Sequence, residues 1–135
     1  MTDQLTDRDY QALAGFRRAL RQFLRFSEQA ARHAGVTPAQ HQLLLAVRGH
    51  PGEGPPSTSE VADALQLRLH SAVELVGRAE ANGLLERHTD PDDHRRTLLA
   101  LTAEGQRCLA GLSAEHRREL ARFRVEMQAV LDALD

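Results

Sequence analysis

Asp90-Pro91-Asp92-Asp93-His94-Arg95-Arg96-Thr97-Leu98-Leu99-Ala100-Leu101-Thr102-Ala103-Glu104-Gly105 is a turn of acids and arginines set between apolar runs. Leu84-Leu85 stands before it and Leu98-Leu99-Ala100-Leu101 ends it. Proline fixes one backbone angle and aspartates bond their own backbone, so this composition makes a turn. The flanking runs suit paired strands. Residues 84–101 therefore read as a β-hairpin with His94, Arg95 and Arg96 at its tip. A guanidinium at such a tip has the size and charge to enter a minor groove.

What precedes the hairpin is helical. Leu13, Phe16, Leu20, Phe23, Leu24, Ser27 and Ala31 recur at three- and four-residue steps, which predicts a first helix from about Asp7 to Ala34 with one apolar face. Gly35 stops it. Thr37-Pro38-Ala39-Gln40 opens a second helix with a capping box, and Leu43, Leu44 and Val47 are its inward residues. The Gly/Pro-rich stretch from His50 to Pro56 is a loop. Ser57-Thr58-Ser59-Glu60 is a second capping box before a short helix with Val61, Ala62 and Leu65. Gln66-Leu67 makes a tight turn into a longer helix from about Leu69 to Asn82. Leu69, Ala72, Val73, Val76 and Ala79 are expected inward, with Gly83 as the stop. Two helices joined this way form a helix-turn-helix, and the hairpin that follows is its wing.

The segment after Thr102 is a further long helix. His116, Leu120, Phe123, Met127, Val130 and Leu134 repeat at alternating four and three, a coiled-coil-like seam. So long an apolar seam on so small a chain is expected to face a partner helix. Gly111 and Ser113 mark where the segment would break if it formed two helices.

Composition narrows the function classes. A chain of 135 residues is one domain by length. Packing must rely on Leu, Ala and Val, since there are four Phe, one Tyr and no Trp. No apolar run is long enough for a membrane span, and the start, Met1-Thr2-Asp3-Gln4, lacks a signal pattern, so a cytoplasmic protein is expected. The single Cys108 excludes an internal disulfide and a multi-cysteine zinc site. The seven His show no close helical pair, so no metal and no cofactor are expected. There is no phosphate loop, nucleophile elbow or pair of carboxylates in an apolar setting, and hence no enzyme. All seventeen basic residues are Arg, yet the net charge is −2. Across 57–102, Arg68, Arg78, Arg87, Arg95 and Arg96 are outnumbered by Glu60, Asp63, Glu74, Glu80, Glu86, Asp90, Asp92 and Asp93. Charge alone does not point to nucleic acid; the order of elements does.

The pattern Asp-Pro-x-Asp-x-Arg followed by Leu-Thr-x-x-Gly resembles the wing of the MarR family of bacterial transcriptional regulators. Ser57-Thr58-Ser59-Glu60-Val61-Ala62, Leu75-Val76-Gly77-Arg78 and Asn82-Gly83-Leu84-Leu85 resemble it too. The resemblance covers nearly the whole chain. It implies a mainly α fold with a small β-hairpin: a winged helix-turn-helix at 37–102, its wing at 84–101, and helical dimerisation segments at 1–36 and 103–135. It implies a homodimer on palindromic double-stranded operator DNA, a repressor released by a small-molecule effector. It assigns DNA contact to Ser57, Arg68, His70, Ser71, Glu74, Arg78, His94, Arg95 and Arg96, with Arg95 in the minor groove and Asp93 orienting it. It assigns the dimer interface to Leu13, Phe16, Leu20, Leu120, Phe123, Met127, Val130 and Leu134.

Each assignment has a plainer rival. Arg95 would otherwise be a solvated tip arginine paired with Asp93. Glu74 either accepts from a cytosine amino group or pairs with Arg78 four residues on. Arg68 stands where a small capping residue is usual, so the helix start could shift by one. His41 and His116 either line an effector pocket or are ordinary semi-buried histidines. Cys108, beside Leu109 and Leu112, reads as a small apolar residue and not a redox switch. The acidic balance of 57–102 keeps an alternative open: a winged-helix protein-interaction module with little DNA affinity.

Overall fold

The computed structural model describes residues 4–134; Met1–Asp3 and Asp135, which end the expected dimerisation segments, lie outside the described residues. In order, the elements are α1 (Asp7–His33), α2 (Pro38–Arg48), α3 (Thr58–Ala64), α4 (Leu69–Ala81), β1 (Leu85–Thr89), β2 (Thr97–Leu101) and α5 (Ala103–Ala133). The fold is mainly α with one antiparallel hairpin. Gly111 and Ser113 do not interrupt α5. The chain divides into two units, Met1–Ala30 with Ser113–Asp135, and Ala31–Leu112.

The second unit holds the helix-turn-helix and the wing. Both capping boxes form. Thr37 Oγ1 accepts from Gln40 N at 3.1 Å while Gln40 Oε1 accepts from Thr37 N. Ser57 Oγ accepts from Glu60 N at 3.1 Å while Glu60 Oε1 accepts from Ser57 N. Each box satisfies two helix-end donors that would otherwise be orphaned. The α3–α4 turn places Gln66 at φ 55° and closes with Leu67 N donating to Ala62 O at 2.8 Å. Gly83, at φ 75°, takes the left-handed conformation that turns α4 into β1.

β1 and β2 pair from Leu85↔Leu101 to Thr89↔Thr97. The other edge of β2 is also used: Leu99 N donates to Pro56 O at 2.9 Å, and Ser57 bridges Leu98. The residues before α3 thus add one isolated bridge to the outer edge of the two-stranded wing. Sequence reading missed it because Pro55-Pro56-Ser57 carries only loop and cap signals. Leu99 is fully buried, together with Leu43, Leu44, Val61, Val76 and Leu85. Each such side chain is worth roughly 1.5–3 kcal/mol of burial, so this cluster fixes the wing against the helices.

The Leu-Thr-x-x-Gly segment has a structural reason. Thr102 Oγ1 donates to Gly83 O at 2.6 Å and accepts from Gly105 N at 3.0 Å. It caps α5 and ties that helix to the end of α4. A Cβ at Gly105 would collide with the Leu84 carbonyl, so only glycine allows this approach.

The first unit pairs α1 with the end of α5. The Phe23 and Phe123 rings lie 5.3 Å apart, and the His116 ring meets Phe23 at 6.1 Å and Phe26 at 5.3 Å, both edge-on. His116 Nε2 bonds Ser27 Oγ at 2.8 Å. Gly15 lies beside Val130. The expected apolar face of the first helix is buried only in part: Ala31 is buried and Leu20, Phe23 and Ser27 are half-buried. Ala12, Ala19 and Ala30 are buried and Phe23 and Phe26 half-buried, while Leu13, Phe16 and Leu24 are exposed. Small residues allow close helix approach, so Ala12, Ala19 and Ala30 turn inward beside Phe23, and the exposed members of the row are Leu13, Phe16 and Leu24.

Candidate DNA-binding surface

Two features of the second unit present polar and charged groups to solvent: the outer face of α4 and the tip of the wing. Helix α4 begins at Leu69, with Arg68 at the N-cap in extended conformation and making no side-chain capping bond. Its first backbone N–H groups therefore lack the side-chain partner that Thr37 and Ser57 give α2 and α3. A helix start of this kind suits an anion such as phosphate. Arg68, His70, Glu74 and Arg78 are exposed, and Ser71 is half-buried. Glu74 and Arg78 form no ion pair among the described residues.

The inward face of α4 also differs from expectation. Ala72, Leu75, Val76 and Ala79 are buried. Leu69 and Val73, expected inward, are 53% and 44% exposed. Leu75 takes the place in the core that periodicity had given to Val73.

At the wing tip, Arg95 has a side chain 92% exposed. Asp93 Oδ1 accepts from Arg95 N at 3.1 Å and from its Nε at 3.2 Å. The expected Asp93–Arg95 pairing is present, and it uses Nε, not the terminal nitrogens. The same side-chain bond from Arg95 is the first cause holding the Asp93 carboxyl below its ordinary value, with the backbone N–H second. His94 is exposed beside it.

Arg96 has other work. Its Nη2 donates to Glu60 Oε1 at 2.7 Å and its Nη1 to Asp90 Oδ2 at 3.3 Å. Asp90 is 7% exposed and also accepts from Asp92 N at 2.9 Å. His50 Nε2 lies 3.3 Å from Glu60 Oε2. The chain His50–Glu60–Arg96–Asp90 clamps the wing loop to α3. On the other side, Arg87 donates Nε and Nη2 to Glu80 Oε1, joining β1 to α4. Ser57, expected at the DNA, is 5% exposed and spends its hydroxyl on the α3 cap. His50, Glu60 and Asp90 were not anticipated as wing supports. The Ser57–Glu60 spacing exposes half of the network, but the Arg96 link spans 36 residues and no local pattern signals it.

The remaining candidates lie elsewhere. His41 is buried in α2. Burial pushes the Cys108 thiol up, and Glu104 adds to this, which disfavours the reactive thiolate. Among the described residues no group of three His, Cys, Asp or Glu is placed to hold a metal, and no helix is long and apolar enough to cross a membrane.

A helix-turn-helix followed by a hairpin with an exposed arginine defines a winged-helix protein. Comparison with known proteins gives its family. The profile described as "MarR family" matches residues 34–96. A Thauera aromatica protein, named provisionally as a transcriptional regulatory protein for the hcr operon, is 32% identical over 97 residues, 72% of this chain and 57% of its own length. The chain thus spans a little over half of that relative. A crystal structure of a MarR family transcription regulator superposes with a TM-score of 0.76 at 26% identity, covering 91% of this chain and 83% of the other. A point mutant of S. aureus MepR, bound to an oligodeoxyribonucleotide, matches with a TM-score of 0.71 over 98% of this chain and 100% of its own; at 21% identity it speaks for the fold alone. The chain belongs to the MarR family. Proteins of that family to which it is similar are named as transcription regulators, which are not enzymes.

Proposed function

We propose that this protein is a sequence-specific DNA-binding transcriptional regulator of the cytoplasm, a repressor acting as a homodimer on a palindromic operator and released by a small-molecule effector. The observation that carries the reading is Arg95, 92% exposed at a wing tip and oriented by Asp93, in the same unit as a helix-turn-helix with an exposed polar face. Residues 37–102 are the DNA-binding region, and 1–36 with 103–135 the dimerisation region. Helix α4 enters the major groove, where His70, Ser71 and Glu74 meet base edges. Arg68, Arg78 and the uncapped start of α4 meet phosphates. Arg95 and His94 reach the adjacent minor groove. Arg96 acts one step back, by holding the wing. In a two-fold dimer the recognition helices occupy half-sites about one helical turn apart. An effector shifts this equilibrium only by binding one dimer geometry better than the other.

The acidic balance of 57–102 supports the second reading, a winged-helix module that binds protein. A fluorescence titration on the DNA upstream of the protein's own coding region, at two salt concentrations, separates them. A regulator using several phosphate contacts binds saturably and loses affinity steeply with salt. Arg95→Ala should weaken it by on the order of tenfold. Binding no different from that to random DNA, there and across a screen of genomic fragments, would favour the protein-interaction module.

A further inference from the structure

We infer that Leu69 and Val73 form an apolar ridge that reads thymine methyl groups in the operator half-site, which makes them specificity determinants of the DNA-binding reading on which this inference rests. The starting observation is their exposure, 53% and 44%, on a helix whose buried arc is fully supplied by Ala72, Leu75, Val76 and Ala79. Residues four apart on a helix lie one above the other. Leu69, Val73 and Gly77 therefore make one row, and His70, Glu74 and Arg78 make the row beside it. A Cβ built at Gly77 meets nothing within 4 Å, so the apolar row ends in open space into which another surface can approach.

The occupant follows from the neighbours. Arg68 stands at the N-terminal end of the paired rows and Arg78 at the C-terminal end, so the ridge lies between two cations that suit a polyanion. The adjacent row offers an imidazole and a carboxylate, groups that bond base edges. In the major groove the one apolar feature of a base edge is the C5-methyl of thymine, and aliphatic side chains contact it. Glu74 repels phosphate and accepts from cytosine N4. The face as a whole fits a half-site in which cytosine and thymine neighbour one another. With a net charge of −2 the chain has little general attraction for DNA, so base contacts of this kind carry much of the discrimination.

The test starts from a pool of random duplex DNA, selected with the intact protein. The enriched sequence is then remade with deoxyuridine in place of thymidine, one position at a time, which removes only the methyl group. Expected is a three- to tenfold loss of affinity at one or two half-site positions, roughly the effect of withdrawing one buried methyl contact. Val73→Ala and Leu69→Ala, on exposed positions, should each lower affinity for the thymidine duplex and erase the difference at one of those positions. Specific binding that is indifferent to every deoxyuridine substitution overturns the ridge while leaving DNA binding intact. Failure to enrich any sequence overturns the DNA-binding reading, and the ridge with it.

Discussion

Glu60 concentrates three duties in one carboxylate. It accepts the Ser57 N–H that starts α3, it receives the Arg96 guanidinium from the wing, and it faces the His50 ring. These contacts favour its charged form, and its carboxyl is held below the ordinary glutamate value, first by the Ser57 backbone N–H. A depressed folded value means that protons bind the unfolded chain more readily. The stabilisation is complete above the ordinary glutamate range and is lost as pH falls through the lowered value. Glu60→Gln keeps an oxygen for the cap but gives up the charge that holds Arg96. Urea unfolding followed from neutral into acid pH should show the variant less stable at neutrality and the gap closing below the glutamate range. A gap that persists unchanged in acid would place Glu60's contribution in packing and not in charge. Such residue-scale detail is half legible. Capping boxes are local, three residues apart, and the sequence displays them. The partner of Arg96 is set by the closed fold, and nothing near Arg96 in the chain names it.

Helix α4 shows the same limit at the scale of an element. Its apolar residues 69, 72, 73, 75, 76 and 79 fall in an arc of roughly 160°, wider than the roughly 100° that the four buried ones occupy, so periodicity shows a helix clearly but fixes its rotation poorly. At about 100° per residue, Val73 lies roughly 110° from the middle of the buried arc. Which edge of so wide a stripe turns inward is decided by the helices and strands around it. Those neighbours bury Leu75 and leave Val73 to solvent. The energetic consequence is sharp. Leu75→Ala should cost about 2–5 kcal/mol of unfolding free energy, because it opens a cavity. Val73→Ala should stay within about 0.5 kcal/mol, as a surface substitution does. Thermal and urea denaturation of the two variants side by side measures the rotation of α4, and a reversed order would refute it. The hairpin, in contrast, was legible to within a residue or so, since its turn chemistry and flanking runs are contiguous. Only the bridge at Pro56-Ser57 escaped, because its pairing partner, β2, is distant in sequence.

At the scale of the whole molecule the open term is what covers the apolar surface of the end helices. A 3.5-residue repeat shows that a face of α5 is apolar; it does not show whose helix lies on it. Phe123 and Val130, two members of that repeat, meet Phe23 and Gly15 of the same chain. Tyr10, Leu13, Phe16, Leu24, Leu120, Val125 and Leu131 remain exposed on the two helices, as does Leu134 just past the end of α5. Scattered single apolar residues are ordinary on a surface, whereas a set of this size, where contiguous, is what an association site needs. A second copy of the chain is the occupant we propose, because a two-fold dimer places one wing on each half of a palindrome. Charges belong on the exposed members of this set and not on Phe123, whose loss would also disturb the protomer. Leu13→Glu with Leu120→Glu should therefore yield a folded monomer. Sedimentation at micromolar concentration should give the dimer mass for the natural chain and half of it for the variant, with helical circular dichroism retained in both. A natural chain that sediments as a monomer would remove the dimer, and with it the expectation that the operator is an inverted repeat. A variant that still dimerises would instead move the interface off this surface.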